Sequence, residues 1–118
     1  MAKQIQKLLS KSVIVYIKEN GKIDRPYVFM YNKEDPSKYL NDHEFKVAQW
    51  VCEHNKQAGA FTVRFTDSSC LHLSIRVNQQ GYGVVSIPID EPIEPFENSI
   101  LLSILGESAL AMENYIEI

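Results

Sequence analysis

The sequence predicts an α+β domain whose elements run in the order α-β-β-α-β-β-β-α, with a five-stranded antiparallel sheet and helices on both of its faces. Three observations lead to this prediction: an Asn20-Gly21 pair between two β-rich runs, alternating apolar residues between positions 61 and 89, and helical periodicity at the start, middle and end of the chain. A chain of 118 residues has room for one domain, so residues 1–118 are predicted to share a single core.

The hairpin is the clearest local signal. Asn20 and Gly21 separate VIVYIKE from KIDRPYVFMY, and a two-residue turn of this kind needs positive φ at both positions. Residues 13–31 are therefore predicted to pair as a hairpin. The first arm is apolar on both faces, which places it inside the sheet, and Pro26 places the second arm at an edge because proline cannot donate to a ladder.

A short amphipathic helix is predicted before the hairpin, over residues 2–11, and a longer helix is predicted after it. Asn41 is the expected N-cap of the second helix, with Glu44 three residues on in a capping-box arrangement. Gly59 is the expected C-terminal cap, so this helix is predicted to end at about Ala58. Its apolar residues are Phe45, Val47, Ala48, Val51 and Cys52.

Three strands joined by turns are predicted next, over residues 61–66, 71–77 and 82–89, because apolar and polar side chains alternate. The side chains predicted to point inward are Phe61, Val63, Phe65, Leu71, Leu73, Ile75 and Val77. The alternate residues, predicted to form a hydroxyl and guanidinium patch on the wetter face, are Thr62, Arg64, Thr66, His72, Ser74 and Arg76. This patch is the candidate binding face for an anionic peptide, a nucleic acid or a small anion.

An acidic, proline-rich connector leads to a final helix, which is predicted from Phe96 onward with Pro95 in its first turn. Apolar side chains surround most of this helix, and only one stripe of them can lie on the sheet. The candidate contacts for a second copy or a partner are Leu102, Ile104, Leu110 and Tyr115. A two-fold homodimer is the predicted solution, and the competing arrangement is that Gly106 divides the segment into two internally covered helices.

Charge is unevenly distributed along the chain, whose net charge is −3. Residues 1–60 carry ten Lys and Arg against seven Asp and Glu, whereas residues 61–118 carry only Arg64 and Arg76 against eight acidic residues. The acidic residues of the C-terminal half either form the solvated surface of the last helix or bind a basic partner, which includes the basic half of another copy. Without a signal-peptide core or a membrane-spanning apolar run, the predicted location is the cytoplasm, with no membrane contact.

The sequence contains no recognisable motif for catalysis, metal binding or cofactor binding. Cys52 and His54 lie two apart on a predicted helix and point in different directions, so they cannot share one metal ion. Cys70 and His72 lie on the same side of one strand, with Cβ atoms about 7 Å apart, which is too long for a nucleophile and its base. Both cysteines are predicted to be small buried residues in a reducing compartment. We therefore predict no catalytic residue, no metal and no cofactor.

The sequence leaves three functions open. The first is a small non-enzymatic protein-interaction or regulatory module that binds a protein partner. The second is a nucleic-acid-associated protein that uses the polar sheet face, and the third is a small-ligand-binding domain or an enzyme without a recognisable motif. In element order alone, the chain resembles roadblock and profilin-like domains, which are commonly dimeric scaffolds.

Overall fold

The fold consists of three α-helices and five strands, which the computed structural model describes for residues 1–33 and 35–117, with side chains up to position 114. The elements are α1 (Ala2–Leu9), β1 (Val13–Glu19), β2 (Lys22–Phe29), α2 (Asp42–His54), β3 (Ala58–Gly59), β4 (Cys70–Val77), β5 (Gln80–Pro88) and α3 (Pro95–Glu117). A short 3₁₀ turn, Pro36–Lys38, precedes α2. This is the predicted order of elements, and the predicted α+β class is confirmed.

The strands form one antiparallel sheet in the order β2-β1-β5-β4-β3. β1 lies between β2 and β5, and its first four residues are buried, as its two apolar faces predicted. β2 carries Pro26 at an edge of the sheet, which was also predicted. Asn20 and Gly21 join these strands with φ angles of 52° and 80°, so the predicted hairpin turn is confirmed.

Helices cover both faces of the sheet. α1 and α3 pack on one face over an apolar layer that includes Ile75, Ile87 and Leu101. α2 packs on the other face, where Val47 and Val51 are fully buried. The candidate site lies on the side of the sheet that α2 covers.

The middle of the chain departs from the predicted elements. α2 ends at His54, earlier than predicted, because Asn55 adopts a φ of 54° and its N–H donates to the Val51 carbonyl at 2.8 Å. The chain then leaves the helix early enough for β3 to pair with β4. Residues 61–66, which were predicted to be a strand, form part of a loop between β3 and β4.

α3 runs as one helix through Gly106, so the arrangement with two separate helices is not adopted. It begins at Pro95 and buries Leu101, Leu105 and Ala109 against the sheet. None of the helices in the described part of the chain is both long and apolar enough to cross a membrane.

Candidate functional site

The loop between β3 and β4, residues 60–69, is held in shape by its own hydrogen bonds, and we call it the cleft loop. The Gly59 N–H donates to the Arg64 carbonyl at 2.8 Å, which closes the first part of the loop. The Thr62 hydroxyl lies 2.8 Å from the carbonyl oxygens of both Gly59 and Arg64, and it accepts from the Arg64 N–H at 3.2 Å. Glycine is required at position 59, because φ is 106° and a Cβ would collide with the Cys70 carbonyl oxygen.

Two aromatic residues of the cleft loop have left-handed backbone angles. Phe61 has a φ of 61° and Phe65 a φ of 55°, which is an unfavourable conformation for bulky side chains. Phe61, Val63 and Phe65 are 55%, 89% and 39% exposed. The prediction that these three residues point into the core is wrong, because the segment turns back on itself through the Gly59–Arg64 hydrogen bond instead of running along β4.

An open cleft of about 520 Å³ lies beside the cleft loop and is lined by three cationic side chains. The lining, which we call the basic cleft, consists of Asn55, Lys56, Gln57, Phe61, Thr62, Val63, Arg64 and Arg76. The Arg64 guanidinium lies 5.3 Å from the centre of the Trp50 ring, in a cation–π contact. The Arg76 guanidinium donates to the Asn78 carbonyl at 3.3 Å. No ion pair between described residues uses the three cations.

The structure divides the six residues of the predicted binding face. Those that line the basic cleft are Thr62, Arg64 and Arg76. Thr66 is exposed on the cleft loop but is not part of the cleft. His72 is fully buried and Ser74 is half-buried, because α2 lies over this part of β4. The prediction of one continuous exposed patch is therefore wrong, although its two arginines do come together.

Beneath α2, four buried polar side chains form a hydrogen-bonded group that we call the polar core cluster: Glu44, Ser68, His72 and Ser86. The His72 ring connects its two sides, with Nε2 2.9 Å from a Glu44 carboxylate oxygen and Nδ1 2.6 Å from the Ser86 hydroxyl. The Ser68 hydroxyl donates to the same Glu44 oxygen, and the Ser69 N–H donates to the other one at 3.2 Å. The cluster thus connects α2 and β5 to the end of the cleft loop.

Glu44 is the charged centre of the polar core cluster. Burial raises the pKa of its carboxyl, but hydrogen bonds from His72, Ser68 and the Ser69 N–H outweigh burial and leave the pKa below its usual value. Because a carboxylate only accepts hydrogen bonds, His72 carries a proton on Nε2. Burial, followed by the charge of Glu44, raises the pKa of the neighbouring Cys70 thiol, which is therefore protonated at neutral pH.

Glu44, Cys70 and His72 offer three ligand atoms that lie within 4.8 Å of one another, which is close enough for a metal ion to be considered. The Glu44–His72 separation of 2.9 Å is that of a hydrogen bond. Two ligands of one tetrahedral zinc ion lie farther apart, at about 3.3 Å. In this arrangement the three residues fit a hydrogen-bond network better than a metal cage.

Ser86, His72 and Glu44 also have the connectivity of a nucleophile, a base and an orienting acid. The Ser86 side chain is 1% exposed and lies on the central strand β5. At this exposure a substrate cannot reach the hydroxyl in the arrangement that the structure describes. The arrangement therefore orients β4, β5 and α2 relative to one another.

Sequence reasoning missed the polar core cluster, although a signal for it was present. Glu44 is part of the α2 cap, since its N–H donates to the Asn41 side chain at 3.0 Å, but its carboxylate points into the core instead of completing a capping box. Glu44 lies three and four residues before the buried Val47 and Ala48, so it shares their stripe. An acidic residue on an apolar helical stripe needs a buried partner. His72, predicted to face solvent, is that partner.

The predicted contact residues on α3 differ in exposure. Leu102 and Leu110 are 51% and 48% exposed, in agreement with a surface position. Ile104 is partly buried and packs against the core under α1 and α3, so most of its contacts lie within the chain. Tyr115 lies outside the residues whose side chains are described.

Comparison with known proteins identifies the fold. No family model matches the chain. Among solved structures, the chain is similar to the GAF3 domain of Slr1393 from Synechocystis sp. PCC6803 in its photoproduct state, with a TM-score of 0.59 and 19% sequence identity. The match covers 97% of this chain and 89% of that chain. At this identity the likeness shows the fold alone, and the chain has the α+β fold of a GAF domain.

Proposed function

We propose that the protein is a small regulatory module that works by binding, and that its ligand is an anionic small molecule held in the basic cleft. The observation that carries the proposal is the convergence of Lys56, Arg64 and Arg76 on one cleft. Arg64 and Arg76 are the only Lys or Arg residues after position 60 in a chain with a net charge of −3. Three cations around one concave surface create a local positive potential, which favours an anionic group.

Two of the cations are held in place before any ligand arrives. The Trp50 ring supports the Arg64 guanidinium, and the Asn78 carbonyl accepts a hydrogen bond from Arg76. Guanidinium groups bind phosphate and carboxylate through paired N–H donors. Because part of the side-chain entropy is already lost in the free protein, less is lost on binding.

The basic cleft also offers apolar contact. Phe61 and Val63 line it and are largely exposed, and exposed apolar side chains beside a few placed charges are typical of ligand sites. The left-handed backbone at Phe61 is the kind of strain that clusters at ligand sites. A cleft of about 520 Å³ suits a ligand of ordinary small-molecule size. We therefore assign the ligand an apolar or aromatic body that carries a phosphate or carboxylate group.

A nucleic acid and a protein partner fit the basic cleft less well. Three cations are a small electrostatic footprint for a nucleic acid, whose binding depends mainly on neutralising phosphates. A protein partner would need a larger surface, since stable interfaces bury about 800 Å² on each side.

Phenyl phosphate is a suitable probe, and inorganic phosphate and benzyl alcohol represent its two halves. We expect phenyl phosphate to shift the backbone amide NMR signals of the cleft loop and of Arg76 in a saturable titration. Arg64→Ala and Arg76→Ala should each weaken binding by about tenfold, which corresponds to the loss of one charge-assisted hydrogen bond. Arg25→Ala is the matched control, because Arg25 is an exposed arginine that lies beside Asp24, away from the cleft.

Phenyl phosphate that causes no localised shifts up to its solubility limit would contradict the proposal. Inorganic phosphate that binds as tightly as phenyl phosphate would show that the apolar part of the assignment is wrong. Tighter binding of an oligonucleotide, with a steep dependence on salt, would favour the nucleic-acid function. Tighter binding of an acidic peptide would favour a protein partner.

We further propose that the module is a homodimer in the cytoplasm. The dimer is supported by the exposed leucines of α3, since a helix that is apolar around most of its circumference is normally covered. The location is supported by Cys52 and Cys70, which are both free and buried, as expected in a reducing compartment. Sedimentation at micromolar concentration measures the mass, and a lone species of 13.5 kDa would remove the homodimer.

A further inference from the structure

We infer that the two copies meet through the solvent faces of the α1–α3 layer, with α1 of one copy lying against α3 of the other. This arrangement rests on the proposed homodimer, and it identifies the surfaces through which the two copies bind. It assigns the exposed apolar stripe of α3 to a second copy of this chain, and it leaves the basic cleft, on the other side of the sheet, open to ligand.

The solvent side of α3 carries three exposed apolar side chains. Phe96, Leu102 and Leu110 are 70%, 51% and 48% exposed. Gly106 lies between the two leucines, and a Cβ built on it would meet nothing within 4 Å. Because Leu102, Gly106 and Leu110 are four residues apart, they lie on one stripe of the helix. The stripe is flat and apolar, and no described part of the chain stands over its middle.

The two helices of this layer carry opposite charges. α1 has the exposed Lys3 and Lys7 and no acidic residue. α3 has no basic residue, and its Glu107 is exposed. α1 and α3 pack beside each other, so the cationic helix and the acidic helix belong to one layer of the molecule.

These charges decide how a second copy would lie. Packing α3 directly against α3 of another copy would bring acidic helices together, which is unfavourable. A two-fold axis that sets α1 of each copy against α3 of the other covers the leucines and pairs lysines with acidic residues twice, as an isologous interface requires. A second copy therefore offers this surface the opposite charge.

Sedimentation equilibrium tests the apolar part of the interface. The wild type should have about twice the chain mass of 13.5 kDa. Leu102→Asp and Leu110→Asp should each raise the dimer Kd by about tenfold or more, because both would bury a carboxylate at the centre of the interface. Val63→Asp is the matched control, since it places the same charge on an exposed apolar residue of the cleft loop and should leave the dimer Kd unchanged. Circular dichroism confirms that each variant is folded.

Charge reversal tests the crossed arrangement, in which α1 of each copy lies against α3 of the other, without altering the apolar stripe. It therefore tests the interface even if a leucine variant fails to fold. Lys3→Glu together with Lys7→Glu should raise the dimer Kd by about tenfold, and adding Glu107→Lys should restore most of the loss. The control is the double change of Lys22 and Lys33 to Glu, both exposed lysines outside α1.

The outcomes separate this interface from the homodimer itself. A wild type that stays monomeric overturns both. A wild-type dimer that tolerates all the leucine and lysine changes overturns the interface and leaves the homodimer standing. The third outcome is a dimer that the leucine changes break, that the Lys3 and Lys7 changes leave unaffected and that Glu107→Gln strengthens. Such a dimer packs α3 against α3, which overturns the crossed arrangement.

Discussion

The two faces of the sheet are closed by different chemistry. The face under α1 and α3 is an apolar layer, whereas the face under α2 combines apolar residues with the polar core cluster. Apolar burial stabilises in proportion to area and has no preferred direction. Each hydrogen bond of Glu44 instead requires one partner at one place. The comparison indicates that one face supplies stability, while the other also fixes the position of the cleft loop.

Removing Glu44 should have the largest effect. Glu44→Ala removes the shared acceptor of His72, Ser68 and the Ser69 N–H and leaves the buried His72 without its carboxylate partner, so we expect the free energy of unfolding to fall by about 3–5 kcal/mol. Urea denaturation measures the change. Glu53→Ala, at an exposed position on the same helix, is the control and should cost less than about 0.5 kcal/mol.

A conservative change on the other face sharpens the comparison. Ile87→Val removes one methylene from the apolar layer and should cost about 0.5–1.5 kcal/mol. Hydrogen exchange of the cleft loop should rise in Glu44→Ala and stay near the wild-type rate in Ile87→Val. If the two variants lost equal stability and left the loop equally protected, the polar core cluster would have no positioning role.

The contribution of Glu44 should also depend on pH. Because the pKa of Glu44 in the folded protein lies below its usual value of 4.5, the ionised carboxylate stabilises the folded state at neutral pH. This stabilisation is fully present above the usual value and is lost as the pH falls through the folded pKa. The difference in unfolding free energy between the wild type and Glu44→Gln should therefore shrink as the pH is lowered below the usual value of 4.5. A difference that grows on acidification contradicts the assignment.

The smallest effect on stability is expected at the basic cleft. Arg64 and Arg76 are exposed, so the double change to Ala should leave the free energy of unfolding within about 1 kcal/mol of the wild type. The cation–π contact of Arg64 accounts for part of that change. Thermal denaturation measures it, and an unfolded double variant would mean that these arginines belong to the structural core rather than to a ligand site.

Features that depend on a few neighbouring residues could be predicted from the sequence. The Asn20-Gly21 turn and the Asn41 cap follow from backbone angles and side-chain reach within four residues. Glu44 and His72 lie 28 residues apart, and a polar residue that alternates with apolar ones has the same pattern whether water or a buried carboxylate is its partner. Only the packed structure distinguishes the two.

The cleft loop was predicted wrongly for a similar reason, and here the misleading residues are apolar. The alternation from Phe61 to Phe65 is that of a half-buried strand. The hydrogen bond between Gly59 and Arg64 turns the segment into a loop, and no pattern of hydrophobicity records it. The sequence did predict that Arg64 and Arg76 lie near each other, because their segments are close neighbours along the chain. The prediction placed them on a sheet face, whereas the structure places them in a cleft.

Trp50 has an optical consequence. It is the only tryptophan of the chain, and it lies where α2 meets the cleft loop. Its ring centre is 4.3 Å from that of His54, 5.6 Å from that of Phe65 and 5.3 Å from the Arg64 guanidinium. Indole emission responds to a nearby cation and to a stacked imidazole, so an anion that draws Arg64 away from the ring changes both intensity and wavelength. The unmodified protein thus carries an intrinsic fluorescent reporter of its own cleft, free of any second tryptophan signal.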